Sequence, residues 1–565
     1  MFAGRAFLYA VPDSLVDRTY PMDRTSVTRP AALATALLGL LLALATPSGF
    51  AQFDPARALR EPEAIARQFP DPDVHYPTPG LREGRTDFPS HAEVLAYLDE
   101  LAKASAGSNR RISVKIIGQS QQGRPMPLVM LSNGAGARDP SRPTILILGQ
   151  QHGNEPAGGE SALVLAQQLA GPRADLLDKV NVLIVPRSNP DGAEHFTRVT
   201  ASGIDVNRDH LLLQTPEARA IAAVTLEYKP QVALDLHEFT VGGRWVDKFG
   251  AMQKYDALLQ PATVGNLDPA LADFAEREFI APLHAMLAQN GLASFAYHTT
   301  STDPQDKVVS MGGVQPDTGR NVSGLRPAIS MLLEVRGVGL GRAHFLRRVH
   351  TQVLAAMTVI ETAARLAPEL IGVVGQAERA ASAEACHGDI VIAAKHSQTR
   401  QPMLFVDAVT GADKPIEVAW RAATPMQVIR TRPRPCGYLL AASQRDAIER
   451  LRMLGATVRP VVRSARWTLE RYVVTKEDEG QRQDARGAIE DSAPMRAYEV
   501  RTEHHRESVA RGSVYVPLDQ PLAPLIEAAL EPDSQNSYAA NRVLELEQSG
   551  LRRVMQRPPR ILLGG

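Results

Sequence analysis

The chain has 565 residues, more than one hydrophobic core usually accommodates, so two or three domains are expected. Hydrophobic residues make up 44% of it and charged residues 22%, which excludes an intrinsically disordered protein. The 62 basic and 62 acidic side chains give a formal net charge of zero. This balance excludes a chain-wide basic surface, and we expect no nucleic-acid partner.

An export signal is predicted at the N-terminus. Arg24 and Arg29 precede an apolar run over residues 31–45, and small residues occupy the −3 and −1 positions of a cut after Ala51. Residues 1–51 are therefore predicted to be a leader and signal peptide, with Met22 as the true start. The mature protein would be periplasmic or secreted, without a stable membrane span. The run is shorter than the about 20 residues of a spanning helix, but an N-terminal anchor remains an alternative.

The elements that follow predict an extended arm and then an α/β catalytic domain. Residues 52–87 are rich in Pro, Asp and Arg and read as the arm. Apolar strands alternating with helices favour a mostly parallel, mixed central sheet flanked by helices, over residues 88–368. The predicted strands are 112–117, 126–131, 144–148, 181–185, 231–236 and 329–335, and the predicted helices are 92–106, 159–170, 216–227, 271–288 and 343–366.

Residues 369–565 are predicted to form a smaller, β-rich C-terminal domain. Short β-like runs cover 388–393, 403–406, 416–420 and 465–474, with one helix over 445–454. The charged stretch 476–511 is interpreted as a long loop. The two cysteines, Cys386 and Cys436, would form one disulfide in an exported protein, although two unpaired buried thiols are an equal alternative.

Three residues are candidate metal ligands. His152 and Glu155 lie three residues apart in the turn after strand 144–148, and His237 follows strand 231–236. A catalytic zinc ion has three protein ligands of these types and one position left for water. A second His-x-x-Glu, His504 to Glu507, has no strand before it and is interpreted as solvated charge.

Further polar residues follow the other apolar strands. Arg208 and Asn207 could bind a carboxylate, and Asp205 could orient a ligand histidine. Glu334 lies in a continuously apolar run, so it is either a buried ion-pair partner or a base whose pKa burial raises. All these residues lie near the carboxyl ends of predicted strands, the edge at which open α/β sheets bind ligands.

Taken in order, these motifs resemble the zinc carboxypeptidase family of the carboxypeptidase A and B type, over about residues 88–366. The matching segments are Ile117-Gly-Gln-Ser-x-x-Gly-Arg124, His152-Gly-Asn-Glu155, Asn189-Pro-Asp-Gly192, Asp205-Val-Asn-Arg208, Leu236-His237 and Glu334-x-Arg336-Gly.

The resemblance implies roles for individual residues. His152, Glu155 and His237 would hold one Zn²⁺, Glu334 would be general base and then acid, and Arg198 would stabilise the oxyanion. Asn207 and Arg208 would bind the terminal carboxylate of a peptide. The family's tyrosine, some twenty residues before the catalytic glutamate, is missing, and Tyr297 lies further upstream. Arg320 or Arg326 is therefore considered for the substrate pocket.

Three functions are consistent with the sequence. The first is a metallocarboxypeptidase that hydrolyses C-terminal peptide bonds. The second is a zinc amidohydrolase or deacylase acting on acyl-amino acids or cell-wall peptides. The third is an inactive binding protein of the same fold, whose signature would be loss of Glu334 or of a metal ligand. The sequence does not indicate the oligomeric state.

Overall fold

The centre of the fold is an eight-stranded mixed sheet. A computed structural model describes residues 53–105, 110–133, 139–489, 493–547 and 549–564, so the predicted leader 1–51 and its start at Met22 lie outside the described residues. The four inner strands are parallel and the neighbouring outer strands join them antiparallel. In spatial order the strands are Arg110–Gln119, Pro125–Asn133, Asn181–Val185, Thr144–Gly149, Val232–Thr240, Ile329–Val338, Ala257–Pro261 and Ser294–Ala296.

Apolar side chains alternate between the two faces of this sheet. On strand Thr144–Gly149, Ile145 and Ile147 point into the larger core, while Leu146 and Leu148 point into a second apolar cluster on the other face. Both faces are buried, which explains why these strands are continuously apolar. The α/β fold class is therefore confirmed.

Helices cover both faces of the sheet. Pro156–Ala170 and Phe345–Arg365 pack on one face, and Pro216–Tyr228 packs on the other. The single helix expected over 271–288 is interrupted by a wide π-helical turn, Glu276–Ile280, because Pro282 cannot donate a backbone hydrogen bond. The other helices of this region are His91–Ala104, Pro190–His195, Arg244–Phe249, Pro269–Ala275, Ala281–Gln289, Gly319–Gly324 and Ala367–Ala383.

Two larger sheets and one two-stranded sheet make the C-terminal part of the described residues β-rich, as expected. The five-stranded sheet contains Ala251–Gln253, Asp389–Asp407, Asp413–Pro433, Val308–Met311 and His298–Thr299. The six-stranded sheet contains Arg459–Pro460, Val514–Pro517, Gly437–Leu440, Arg552–Val554, Ala465–Gly480 and Met495–Val509. Helices Arg445–Met453 and Ala523–Leu530 accompany them. The five-stranded sheet contains strands from both sides of residue 368. The domain boundaries 88–368 and 369–565 remain predictions.

The interpretation of 476–511 as a loop was wrong. Most of this stretch belongs to a long antiparallel pair, Ala465–Gly480 with Met495–Val509, whose cross-strand partners include Arg471 and Glu503. Away from the end that packs on the six-stranded sheet, both faces of this pair are largely exposed. Charged residues therefore occupy consecutive positions, and the alternation of apolar and polar residues that marks a half-buried strand is missing. His504, on strand Met495–Val509, is exposed, in agreement with its interpretation as part of a solvated charged segment.

The N-terminal segment and the disulfide tie distant parts of the chain together. Residues 53–87 contain three short helical turns, Pro55–Arg57, Glu63–Ala66 and Pro79–Leu81, and bury Ile65 and Phe69. Cys386 is bonded to Cys436, which decides between the two alternatives for the cysteines. Within the described ranges, no helix has the length and apolar character needed to cross a membrane.

Candidate metal centre and active site

Three side chains from two distant segments converge on one point. His152 Nδ1 lies 2.8 Å from Glu155 Oε1, and His237 Nδ1 lies 2.9 Å from Glu155 Oε2. The two Nδ1 atoms are 3.0 Å apart. In the part of the chain that the structure describes, this is the only group of His, Cys, Asp and Glu donors close enough to share an ion.

Close backbone packing holds the ligand turn in place. The turn between strand Thr144–Gly149 and helix Pro156–Ala170 lies against a second turn, so closely that a Cβ on Gly153 would come within 1.8 Å of Gly192. Glu155 is the N-cap residue of the helix, and its Oε2 accepts a hydrogen bond from Glu238 N at 3.1 Å. These contacts hold the turn in one backbone conformation.

An aspartate contacts the outer nitrogen of each histidine. Asp205 Oδ1 lies 3.1 Å from His152 Nε2, and Asp235 Oδ2 lies 2.9 Å from His237 Nε2. Burial raises the pKa of each carboxyl group, but the positive groups beside it, Arg198 and His152 at Asp205 and His237 at Asp235, outweigh burial and hold both pKa values below the ordinary range. Such contacts orient ligand histidines and leave Nδ1 for a metal.

Sequence reasoning singled out Asp205 and missed Asp235. The signal was available, because Asp235 stands two residues before His237 in the same strand. Residues two apart on a strand point to the same face, so an acidic residue at that spacing lies beside the histidine.

Glu334 faces the same cavity from the neighbouring strand. It is in register with His237 in the parallel pair, and among the described residues no basic side chain forms an ion pair with it within 4 Å. Burial and the negative charge of Glu155 raise the pKa of Glu334 to about 7. Within the described residues, Glu334 is therefore not the buried ion-pair partner of a basic side chain, and its carboxyl group is available for proton transfer.

Arg198 lies beside the three candidate ligands. It donates to Asp205 at 2.8 Å through Nη2, and its Nη1 is 3.2 Å from His152 Nδ1 and 3.4 Å from Glu155 Oε1. Its side chain is 31% exposed to the cavity, so a bound molecule can reach it.

The two candidate carboxylate-binding residues already have protein partners. Asn207 Oδ1 accepts a hydrogen bond from Gly319 N at 2.7 Å, and its Nδ2 is 3.1 Å from His237 Nε2. Arg208 donates through Nη2 to Asp484 at 2.8 Å. Both residues line the cavity, and Asp484 comes from a part of the chain that sequence reasoning did not connect with the site.

The cavity has a volume of about 190 Å³. Tyr297, which lies upstream of the stretch where the family's tyrosine was expected, lines the cavity, as does Arg320, whereas Arg326 is not among the lining residues. The short hairpin of Gln483–Asp484 and Gly487–Ala488 also reaches the cavity through Asp484, Ala485 and Arg486. No local pattern could have revealed this contact, because the hairpin is more than 270 residues from Arg208 in the chain.

The donor set fits a zinc ion. Two imidazole nitrogens and one carboxylate oxygen are the ligand types of a catalytic zinc, which leaves further positions for water and substrate. The charges of Asp235 and Glu155 raise the pKa of His237 well above its ordinary value although burial lowers it, so the surroundings favour a positive charge at this point.

Comparisons with known proteins point to the same chemistry. The sequence profile of the zinc carboxypeptidase family matches residues 94–241. "Carboxypeptidase 2" of Trichophyton rubrum is 30% identical over 431 residues, which cover 75% of this chain and 78% of that protein. "Carboxypeptidase 2" of Trichophyton equinum is 29% identical over 435 residues, covering 75% and 79%.

These alignments are longer than the segment 88–366, so the similarity extends beyond it. Among solved structures, the carboxypeptidase A from Helicoverpa armigera is 17% identical, covers 52% of this chain and 78% of its own, and has a TM-score of 0.38. The two Trichophyton relatives are aligned over most of their own length. The chain therefore belongs to the zinc carboxypeptidase family and is a metallocarboxypeptidase, a hydrolase.

Proposed function

We propose that this protein uses one zinc ion to hydrolyse C-terminal peptide bonds. The observation that carries the proposal is the convergence of His152, Glu155 and His237 on one point, in a cavity that Glu334 also lines. His152 Nδ1, His237 Nδ1 and a Glu155 oxygen are the proposed ligand atoms, with Asp205 and Asp235 orienting the imidazoles.

The residues around this group would divide the reaction between them. A zinc ion held there would supply Lewis acidity, acidifying a water molecule and polarising the carbonyl of the scissile bond. Glu334 accepts a proton from the attacking water and then donates it to the leaving amine. Arg198 donates a hydrogen bond to the oxygen on which negative charge develops.

The other end of the cavity would bind the free end of the substrate. Arg208 and Asn207 are proposed to bind the terminal carboxylate, which selects the last residue of a peptide. Arg208 and Asn207 both line the cavity, and the contact with Asp484 holds the Arg208 guanidinium in place.

Export is proposed as well. Its basis is the predicted signal over residues 1–51 together with the disulfide between Cys386 and Cys436, because disulfides persist in oxidising compartments. The mature protein is therefore proposed to be periplasmic or secreted.

The test is the Glu334→Gln variant assayed on peptides and on acyl-amino acids. Loss of a general base is expected to lower kcat about 100- to 10,000-fold without changing the zinc content. Glu417→Gln, at an exposed glutamate, is the matched control. Removal of zinc by a chelator should abolish activity, and added zinc should restore it. A Glu334→Gln enzyme as fast as the parent contradicts the assignment, and faster hydrolysis of acyl-amino acids than of peptides favours the amidohydrolase.

A further inference from the structure

Positively charged side chains are concentrated where the cavity contacts the C-terminal region. We call this part of the cavity the arginine recess. Its charged lining residues are Arg208, Arg244, Arg320, Arg486, Asp317 and Asp484. Four guanidinium groups face two carboxyl groups, which leaves two positive charges when all are ionised.

Arg320 is a buried cation of the recess. Its side chain is 2% exposed, and it donates to Asn321 Oδ1 at 3.2 Å through Nε and to Gly313 O at 3.2 Å through Nη2. No carboxylate of the described residues lies within ion-pairing distance of it, and Nη1 has no hydrogen bond within that part of the chain. A buried charge without a counter-ion is costly, so an anionic ligand at this position would be strongly stabilised.

Arg486 is brought to the recess by the hairpin of Gln483–Ala488. Its Nη2 donates to Asp484 Oδ2 at 2.8 Å, and the same oxygen accepts from Arg208 Nη2 at 2.8 Å. Asp484 therefore contacts both guanidinium groups, and its single negative charge offsets one of their two positive charges. Tyr297, Arg320 and Arg486 all line the cavity.

Asp317 is the second acidic residue of the recess. Asp317 is buried, and its Oδ1 has no hydrogen-bond partner among the described residues. Burial raises the pKa of Asp317 above its ordinary value, which weakens its contribution as an anion. Arg244 donates through Nη1 to Thr300 O at 2.9 Å and forms no ion pair within the described ranges.

We propose that Arg320 and Arg486 are specificity-determining residues that select peptides ending in an acidic residue. Such a peptide brings two carboxylates, one from its chain end and one from its side chain, and these match the two excess positive charges of the recess. A neutral side chain would leave Arg320 unpaired, and a basic one would add a third positive charge. The inference rests on the proposed carboxypeptidase function.

The experiment compares kcat/KM for peptides that differ only in the last residue, Glu, Gln, Phe or Lys. The wild-type zinc enzyme is expected to prefer Glu to Gln by about 10- to 100-fold, the range for one charge-assisted hydrogen bond. Arg320→Gln should reduce this ratio towards one. Arg486→Glu should reduce it further and raise kcat/KM for the Lys peptide, a gain that misfolding cannot produce.

Arg466→Gln, at an exposed arginine of strand Ala465–Gly480, is the control and should leave every ratio unchanged. A Glu-to-Gln ratio near one in the wild type, or one that both recess variants preserve, overturns the inference while the carboxypeptidase function stands. If the zinc-loaded enzyme hydrolyses none of the peptides, the proposed function fails, and the recess proposal fails with it.

Discussion

Each candidate ligand histidine is held at both ring nitrogens. Nδ1 points to the shared site and Nε2 contacts an aspartate, Asp205 for His152 and Asp235 for His237. An imidazole fixed in this way keeps one tautomer and one orientation, so little conformational freedom is lost when a metal binds. The candidate site is therefore organised by the protein itself.

Replacing either orienting aspartate should weaken zinc binding. Asp205→Asn and Asp235→Asn are each expected to raise the zinc dissociation constant about 10- to 100-fold, the usual effect of losing such a contact. Competition with a chelator of known affinity measures this change. Asp273→Asn, at an exposed aspartate, is the control, and equal zinc affinity in all three variants would remove the orienting role.

The pH dependence of kcat/KM should report Glu334. Burial and Glu155 raise the pKa of this residue to about 7, and a nearby divalent cation would move it back toward the about 4.3 of an ordinary glutamate. Because the base acts as a carboxylate, kcat/KM should fall as pH drops, with a midpoint between these values. Zinc content measured over the same range separates this effect from loss of metal. Constant kcat/KM down to about pH 4 at full occupancy contradicts the assignment.

Secondary-structure elements explain how residues distant in sequence reach one cavity. His237 and Glu334 occupy neighbouring parallel strands in register, and both strands run on past these residues, to Thr240 and Val338. Both strands are longer than predicted, and Phe239, in the added part of the first strand, packs into a separate apolar cluster. The position of a side chain along a strand therefore depended on packing that the local pattern did not contain.

The disulfide should stabilise the C-terminal elements that it joins. Cys386 follows helix Ala367–Ala383 and Cys436 precedes strand Gly437–Leu440, and the bond closes a loop with a sequence separation of 50 residues. A loop of this length corresponds to about 4 kcal/mol in the chain-entropy description. The Cys386→Ser/Cys436→Ser variant should lose up to that free energy of unfolding, measured by denaturant unfolding. Reducing agent should lower the stability of the wild type but not of the variant, and equal stability of the two under oxidising conditions contradicts the prediction.

At the scale of the whole molecule, segments outside the central sheet complete and stabilise the catalytic part. Glu61 of the N-terminal segment accepts a hydrogen bond from Arg336, two residues after Glu334, at 2.7 Å, and both side chains are 2% exposed. The Arg336 guanidinium also lies 3.5 Å from the centre of the Phe69 ring. The hairpin carrying Asp484 and Arg486 reaches the cavity from the C-terminal side.

Removing the charge of Glu61 should destabilise the whole protein. Glu61→Gln leaves Arg336 buried without its carboxylate, a change expected to cost about 3–5 kcal/mol of unfolding free energy. Glu63→Gln breaks an ion pair with Arg67 that is more than 70% exposed on both sides and should change stability by less than about 1 kcal/mol. Chemical denaturation of both variants measures the difference, and equal stability would contradict a structural role for the pair.

The pH dependence of this pair has a definite sign. Burial raises the pKa of Glu61, but His344 and Arg336 outweigh it and lower that pKa below its ordinary value. The stabilisation is therefore present above the unfolded-state pKa of about 4.3 and is lost as pH falls through the lower folded-state value. The difference between the wild type and Glu61→Gln should shrink in acid.

The amino-acid sequence by itself determined the strand and helix order of the α/β part and the identity of the residues at the candidate metal centre. Continuous apolar runs mark strands buried on both faces, and His152, Glu155, His237 and Glu334 each follow or lie in such a run. These signals are local in the sequence, so they can be recognised without knowledge of the fold.

Only the tertiary structure decided which distant residues share the cavity with them. The contact of Asp484 with Arg208, the ion pair of Glu61 with Arg336 and the position of Tyr297 each join segments that are far apart in the chain. The charged pair of strands over 476–511 was invisible for a related reason, since strands exposed on both faces have no apolar period. Pairing between remote segments depends on packing of the whole chain, and no short window of sequence contains that information.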